Sequence, residues 1–347
     1  MKHWFDLAFH HRTAAALAAL HPRFDAGRYL AVALDGLDAL ELMDRLRHTA
    51  EAFHHALPLP FAEQLGVLRA HAPTIGHNFI AIWPCAHVAA HGLEAPALAL
   101  PALRELTRHG SAEFAIRPFL ARDLPGTLAV LQDWARDPDE HVRRLASEGS
   151  RPRLPWGQAL QSLIADPSPT LPLLATLRAD DSPYVRKSVA NHLNDITKDH
   201  PEIVLDLVAG WDRRDARTAW IVRHALRTLV KRGHPRALAL LGAGAAPKLA
   251  AALEARPARL RLGQTLTLAA TLRSTAARGE QELIVDYAIH YARASGRPSR
   301  KVFKWKQVRL AAGETLVLTK RQTIRDFSTR KHHPGRHLVE LQINGRR

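Results

Sequence analysis

HVRRLASEGSRPRLPW, residues 141 to 156, starts as a helix and does not finish as one. Val142, Leu145 and Ala146 stand at i, i+3 and i+4, which lays an apolar stripe along one helix face. Arg144 and Glu148 are four apart and share another face. Gly149, Pro152 and Pro155 then end the helix and impose an irregular connector, which carries Trp156 to the start of the next helix. A single short span thus gathers arginines, a carboxylate and an aromatic.

The pattern returns downstream. In DDSPYVRKSVANHLND, residues 180 to 195, Val185, Arg186 and Lys187 overlay Val142, Arg143 and Arg144, and Asn191 overlays Glu148. A looser copy follows at WIVRH, Trp220 to His224. A supersecondary unit repeating at roughly 40 residues predicts an α-solenoid of the HEAT type. In the second copy Val185, Val189, Leu193 and Ile196 form the core face. Lys187, Asn191 and Asp195 make a polar stripe that faces either a groove or solvent.

Upstream, the sequence reads as helices punctuated by Pro22, Gly27, Pro58 and Pro60, the clearest running from Asp38 to Leu57 with Leu42, Leu46 and Phe53 inward. Another ends at Gly110, and Ser111 is placed to cap a helix over AEFAIRPFL. Within it Glu113 and Arg117 have the i, i+4 spacing of a first-turn ion pair. His87 and His91 share that spacing, which suits a metal. With no carboxylate–histidine pattern beside them and Cys85 the only cysteine, neither a metal site nor a cofactor is expected.

After Gly233 the helices shorten, and GAGAAPKLAAALEARP, residues 242 to 257, reads as a last capping helix. The hydrophobic period then changes from about 3.6 to 2. Leu266, Leu268, Ala270 and Leu272 alternate with polar or small residues, as do Leu283, Val285, Tyr287, Ile289 and Tyr291, and later Val339, Leu341 and Ile343. Turns are expected at Gly263, Gly279, Gly296, Gly313 and Pro334–Gly335. Residues 1–256 are therefore expected to form one helical domain and residues 258–347 a small β-sandwich.

Charge follows the same division. Residues 258–347 carry 19 Lys+Arg against 6 Asp+Glu, or +13 of the chain's +16. A polyanion is the partner that such a domain suits. The lone cysteine excludes an internal disulfide and fits a reducing cytoplasm; no apolar run approaches the roughly 18 residues of a membrane span. A groove built only to hold DNA has no use for acids, because they repel phosphate. Acids among bases suit a cationic substrate: an alkylated base has a weakened glycosidic bond, and carboxylates can stabilise the sugar cation left behind.

SAEFAIRPFL (Ser111 to Leu120), HVRRLASEGSRPRLPW, YVRKSVANHLNDITKDHP (Tyr184 to Pro201) and WIVRHALRTLVKRG (Trp220 to Gly233) resemble the AlkC-type DNA alkylation-repair glycosylases. The likeness runs through most of the first two-thirds of the chain. The C-terminal part is similar to the branch of that family with an appended immunoglobulin-like domain. The resemblance implies a mostly α fold, a HEAT-like α-solenoid followed by a small immunoglobulin-like β-sandwich. It also implies excision of N3-alkylated bases, such as 3-methyladenine and 3-methylcytosine, from duplex DNA by bending rather than full base flipping.

Carried over by motif, its active-site positions fall on Glu113 in SAEF, Glu148 in ASEG, Trp156 in LPW and Asp195 in NHLND. Glu148 and Asp195 are the expected catalytic carboxylates, unranked between water activation and cation stabilisation. Arg144, Arg151, Arg153, Lys187, Arg223 and Arg227 are candidate phosphate contacts, joined by Arg300, Lys301, Lys304, Arg330 and Lys331 in the basic segments of the sandwich. The expected state is a cytoplasmic, nucleoid-associated monomer bound to duplex DNA containing alkylated bases. The alternative, from another class, is a non-enzymatic HEAT-like scaffold, in which Glu148, Trp156 and Asp195 would lie on separate faces.

Overall fold

The computed structural model describes residues 2–76, 79–327 and 331–347. The chain divides into two units: one runs to His200 and resumes over Gly210–Ala225, and the other joins Pro201–Ala209 to Leu226–Arg347. Among the described residues no helix is long and apolar enough to cross a membrane.

The first unit is helical throughout. Helices Leu7–Leu20, Ala26–Leu34, Leu42–Ala56 and Phe61–Ile75 contribute to a core containing Phe9, Leu17, Tyr29, Phe53 and Trp83, with Leu46 buried beside them as its spacing predicts. Two of the prolines in this region sit where a helix begins: Pro84 and Pro96 occupy first turns, where a missing N–H leaves nothing unpaired.

The sequence repeat is written into hydrogen bonds. Helix Glu140–Gly149 packs on Pro183–Ile196, which packs on Ala216–Ala225. Arg143 donates to the Asp137 and Pro138 carbonyls, both at 2.9 Å, and Arg186 repeats the pair on Asp180 and Asp181 at 2.7 and 2.8 Å. Asp137 and Asp180 each accept the backbone N–H two residues on, and each takes an arginine from the preceding repeat. Arg104 reaches Asp137 at 2.6 Å and Arg143 reaches Asp180 at 2.7 Å. This ladder explains why arginine and aspartate recur with the period: they tie each repeat to the last. Val185, Val189, Leu193 and Ile196 are buried, as the apolar face requires.

Among the helix boundaries that differ from the expected ones, two bear on the site. The helix expected from Ser111 begins only at Arg117, because residues 112–116 form a turn closed by the Ile116 N–H on the Ala112 carbonyl. Glu113 therefore precedes the helix and has no i, i+4 relation to Arg117 within it. Likewise the helix after the connector begins at Gln161, which leaves Trp156 in mid-connector.

The second unit carries a sandwich of six strands: β1 Leu249–Arg256, β2 Thr265–Ser274, β3 Glu280–Tyr291, β4 Ser299–Ala311, β5 Thr315–Thr323 and β6 Leu338–Ile343. They form two antiparallel sheets, ordered β1-β2-β5 and β4-β3-β6. The alternating residues meet between them: Leu272 packs with Leu283, Val285 and Leu310, and Leu266 and Leu268 with Tyr287 and Ile289. Gly279 and Gly313, among the expected turns, have φ of +79° and +74°, which a side chain would strain.

β1 corrects the expected capping helix, and it starts ahead of the boundary expected at residues 256–258. Its inward residues, Leu249 and Leu253, are four apart, a spacing that a helix and a strand satisfy equally. The alanines between them favour helix, but pairing with β2 along the whole strand, from Leu249↔Ser274 to Arg256↔Thr267, overrides that preference.

Candidate active site

Helix Glu140–Gly149 is capped by Asp139, whose side chain accepts the His141 N–H at 2.8 Å. Its last turn, Ser147 to Gly149, is buried. Gly149 cannot carry a side chain without displacement, since a Cβ there would stand 2.4 Å from Ile116 Cγ2. Beyond it the connector is pinned by Arg117, which is only 1% exposed. Arg117 Nη1 donates to the Gly149 and Arg151 carbonyls, each at 2.8 Å, and Nε donates to the Gln158 carbonyl at 2.6 Å. One guanidinium thus satisfies three carbonyls that no helix claims. Burial and then the charge of Arg151 push its pKa down to about 10, against the pull of Asp195, Glu113 and Glu148.

The connector swings Arg151 between two acids. Arg151 Nη1 donates to Glu148 Oε1 at 2.6 Å, while its Nε and Nη2 reach Asp195 Oδ2 at 2.8 and 2.7 Å. Burial disfavours this charge, yet Glu148 and Asp195 together hold its pKa above the ordinary guanidinium value. Asp195 Oδ1 accepts from Lys198 Nζ at 2.8 Å, so it is a buried, doubly paired group rather than the surface acid that its place near a helix C-terminus suggests. Glu148 Oε2 accepts from Ser188 Oγ at 2.6 Å. Arg144 Nη2 lies 3.5 Å from Glu148 Oε1 and also pairs with Glu113, whose Oε2 accepts from Ser111 Oγ at 3.0 Å. The Arg144 guanidinium sits 5.1 Å from the centre of the Tyr184 ring. Glu113, Glu148 and Asp195 therefore form one network through Arg144 and Arg151. Beneath it His192, held to the Ser147 carbonyl at 2.9 Å, is kept neutral by burial, its pKa lowered to about 3.

Trp156 is 64% exposed and has a φ of +65°. The left-handed region costs a bulky residue about 1–3 kcal/mol, and such strain persists where the surroundings over-determine it. Here the Gly157 N–H closes a turn onto the Leu154 carbonyl at 3.1 Å, and the Arg117–Gln158 bond fixes the far side. The indole is therefore presented outward rather than wedged into the core. It meets the edge of Phe79, 6.2 Å between centroids, and borders a cleft of about 310 Å³ lined by residues such as Leu46, Ile82 and Phe114.

The candidate cations separate into two groups. Arg144 and Arg151 are committed to the acids, and Arg153 pairs with Asp199. Lys187 and Arg223 are exposed on their helices, and Arg227 is half-buried. In the sandwich, Arg300 bonds Glu340 at 2.7 Å and Gln342 at 2.6 Å, while Lys301, Lys304 and Lys331 are exposed. Arg330 lies outside the described residues. Sequence reasoning gave Arg117 only as a partner for Glu113, and it did not single out Ser188 or Tyr184. The last two were accessible from spacing, standing seven and eleven residues before Asp195 on one helix face. Arg117 carried no such signal, since its partners are carbonyls.

Comparison with known proteins gives the class. Residues 107–229 match the family model described as DNA alkylation repair enzyme, and residues 250–347 match that of the YhaZ C-terminal Ig-like domain. The structure of the Pseudomonas fluorescens alkylpurine DNA glycosylase AlkC, bound to DNA containing an abasic site analog, is 47% identical in sequence with a TM-score of 0.95. That match covers 99% of this chain and 96% of the other. The uncharacterized protein YhaZ of Bacillus subtilis (strain 168) is 38% identical over 94% of this chain and 90% of its own length. The chain belongs to the AlkC family of DNA glycosylases.

Proposed function

We propose that this protein excises N3-alkylated bases, 3-methyladenine and 3-methylcytosine, from duplex DNA. The observation that carries the reading is the juxtaposition of Glu148 and Asp195, bridged by Arg151, on the same connector that presents a strained and exposed Trp156. An N3-alkylated base is already cationic, so it leaves as a neutral base with the glycosidic electron pair and needs no general acid. The sugar cation that remains is stabilised by the carboxylates. Water adds at C1′, and one carboxylate takes its proton. Arg151 supplies the countercharge that lets two acids stand together out of water. Trp156 adds cation–π attraction for the charged base, on the order of 0.5–2 kcal/mol.

The cleft beside Trp156 includes neither Glu148 nor Asp195 in its lining, which supports a reaction on DNA lying across the surface rather than on a base swallowed by a pocket. A scaffold would have no need for two acids paired through a buried arginine, and this supports the enzyme over the non-enzymatic alternative. Lys187, Arg223, Lys301, Lys304 and Lys331 are our candidates for phosphate contacts, together with Arg330, with the sandwich acting as a second grip on DNA. The test is base release from randomly methylated duplex DNA, with products separated by chromatography. Release of 3-methyladenine and 3-methylcytosine is expected; release of neither would overturn the reading.

A further inference from the structure

Helices Leu42–Ala56 and Trp83–His91 pack against each other, and their adjoining turns bring three imidazoles together. His54 comes from the first helix, and His87 and His91, one turn apart, from the second. One ligating atom from each lies within 4.8 Å of the other two. The ring centroids are 3.8 Å apart for His54–His91, 4.7 Å for His87–His91 and 5.8 Å for His54–His87. Three imidazoles on a tetrahedral ion with metal–nitrogen bonds of about 2.0–2.1 Å stand roughly 5 Å apart, centroid to centroid. The observed spacings bracket that value.

A second observation points to a ligand. His87 is completely buried, and among the described residues its ring has only a weak hydrogen bond to the Ala50 carbonyl, so at least one ring nitrogen is left without a partner. Buried polar groups are nearly always satisfied, so a buried imidazole nitrogen left without a protein partner is where a ligand would bind. Glu51 Oε1 is 3.1 Å from His91 Nε2 and is partly exposed, so a carboxylate stands at the mouth of the cluster.

We propose that His54, His87 and His91, with Glu51, bind one divalent transition-metal ion of the zinc class, which clips the two helices together. Three imidazoles and one carboxylate complete a closed tetrahedral set of the structural kind. The near-parallel stack of His54 on His91 opens as the ion enters, which the partial exposure of both side chains allows. Sequence spacing did not reveal the site, since His54 and Glu51 precede His87 by more than thirty residues.

The test is calorimetric titration of metal-stripped full-length protein with Zn²⁺, alongside Co²⁺ followed by visible absorption. One equivalent of Zn²⁺ is expected, with cobalt bands of a tetrahedral nitrogen–oxygen site and a melting temperature that rises with metal and falls on chelation. The double variant His54→Gln/His91→Gln changes only side chains that reach the surface, and it should weaken binding by roughly 100-fold or more. Glu51→Gln should weaken it by about 10–100-fold. His333→Gln, in the other unit, should leave the equivalent intact. Failure to take up one equivalent would sink the proposal, as would an equivalent that survives in the double variant or disappears with His333.

Discussion

Arg151 holds two carboxylates that would otherwise repel one another. Glu148→Gln or Asp195→Asn removes one negative charge near the path of DNA phosphate. Each change should lower single-turnover base release by at least about 100-fold, the scale of a lost electrostatic stabiliser, while DNA affinity holds or rises. Parent rates of 3-methyladenine release in both variants would mean that these acids are not catalytic. Trp156 separates stability from function at a single position. Its φ of +65° and exposed ring mean that Trp156→Gly should change unfolding free energy by no more than about 1 kcal/mol, since glycine relieves the strain while loosening the unfolded chain. Excision should nevertheless fall about 2–30-fold, the equivalent of the cation–π attraction. Urea unfolding and base-release kinetics on one preparation would check both halves.

At the scale of elements, the connector from Ser150 to Leu160 has little regular structure and is positioned by the three carbonyl bonds of Arg117. Arg117→Lys keeps the charge but cannot reach three carbonyls at once. The variant should keep its helical circular dichroism yet lose hydrogen-exchange protection over residues 149–158, with a matching drop in excision. Unchanged protection there would show that Leu154, Leu160 and their neighbours suffice to hold the loop. The helix that leads into this connector was readable from Val142, Leu145 and Ala146, because amphipathic spacing reports burial directly. The strand β1 was not: Leu249 and Leu253 fit both periods, and only the partner strand decides between them.

Across the whole molecule, buried histidines and a buried carboxyl respond to acid in opposite directions. Burial lowers the pKa of His10 and His71 to about 4 and of His192 to about 3. The unfolded chain binds protons at these sites from about pH 6.5 downward, so the stability they allow is complete above that pH and is lost as pH falls toward 4. Three such groups give a slope of roughly 4 kcal/mol per pH unit in that window. In the sandwich, Asp286 is buried on β3 and its pKa is raised to about 6, against the pull of Lys231 and Lys304. A raised carboxyl pKa means stability that is present at acid pH and lost as pH rises from about 4 to 6. Helical ellipticity at 222 nm should therefore collapse between pH 6 and 4; a flat profile to pH 4 would refute the burial argument. The basic surface makes a separate prediction. If Lys301 and Lys304 touch phosphate, changing both to glutamine should reduce the slope of log K against log salt by up to about 1.8. An unchanged slope would mean that they serve only to keep the edge strand β4 from pairing with other chains.

By itself the sequence determined the repeat, the change from helix to sheet and the concentration of positive charge, and its family resemblance pointed to Glu113, Glu148, Trp156 and Asp195 as candidates. Each of these is encoded locally, as a period, a composition or a motif of adjacent letters. The tertiary structure alone decided the partnerships. It set Arg151 between Glu148 and Asp195, gave Glu113 to Arg144 instead of Arg117, and turned Arg117 into the clamp of a loop some forty residues away. It also brought His54 against His87 and His91. The physical reason is common to all of them. A charged or polar side chain meets its partner through the packing of helices distant in sequence, and spacing along one helix predicts only what that helix can do alone.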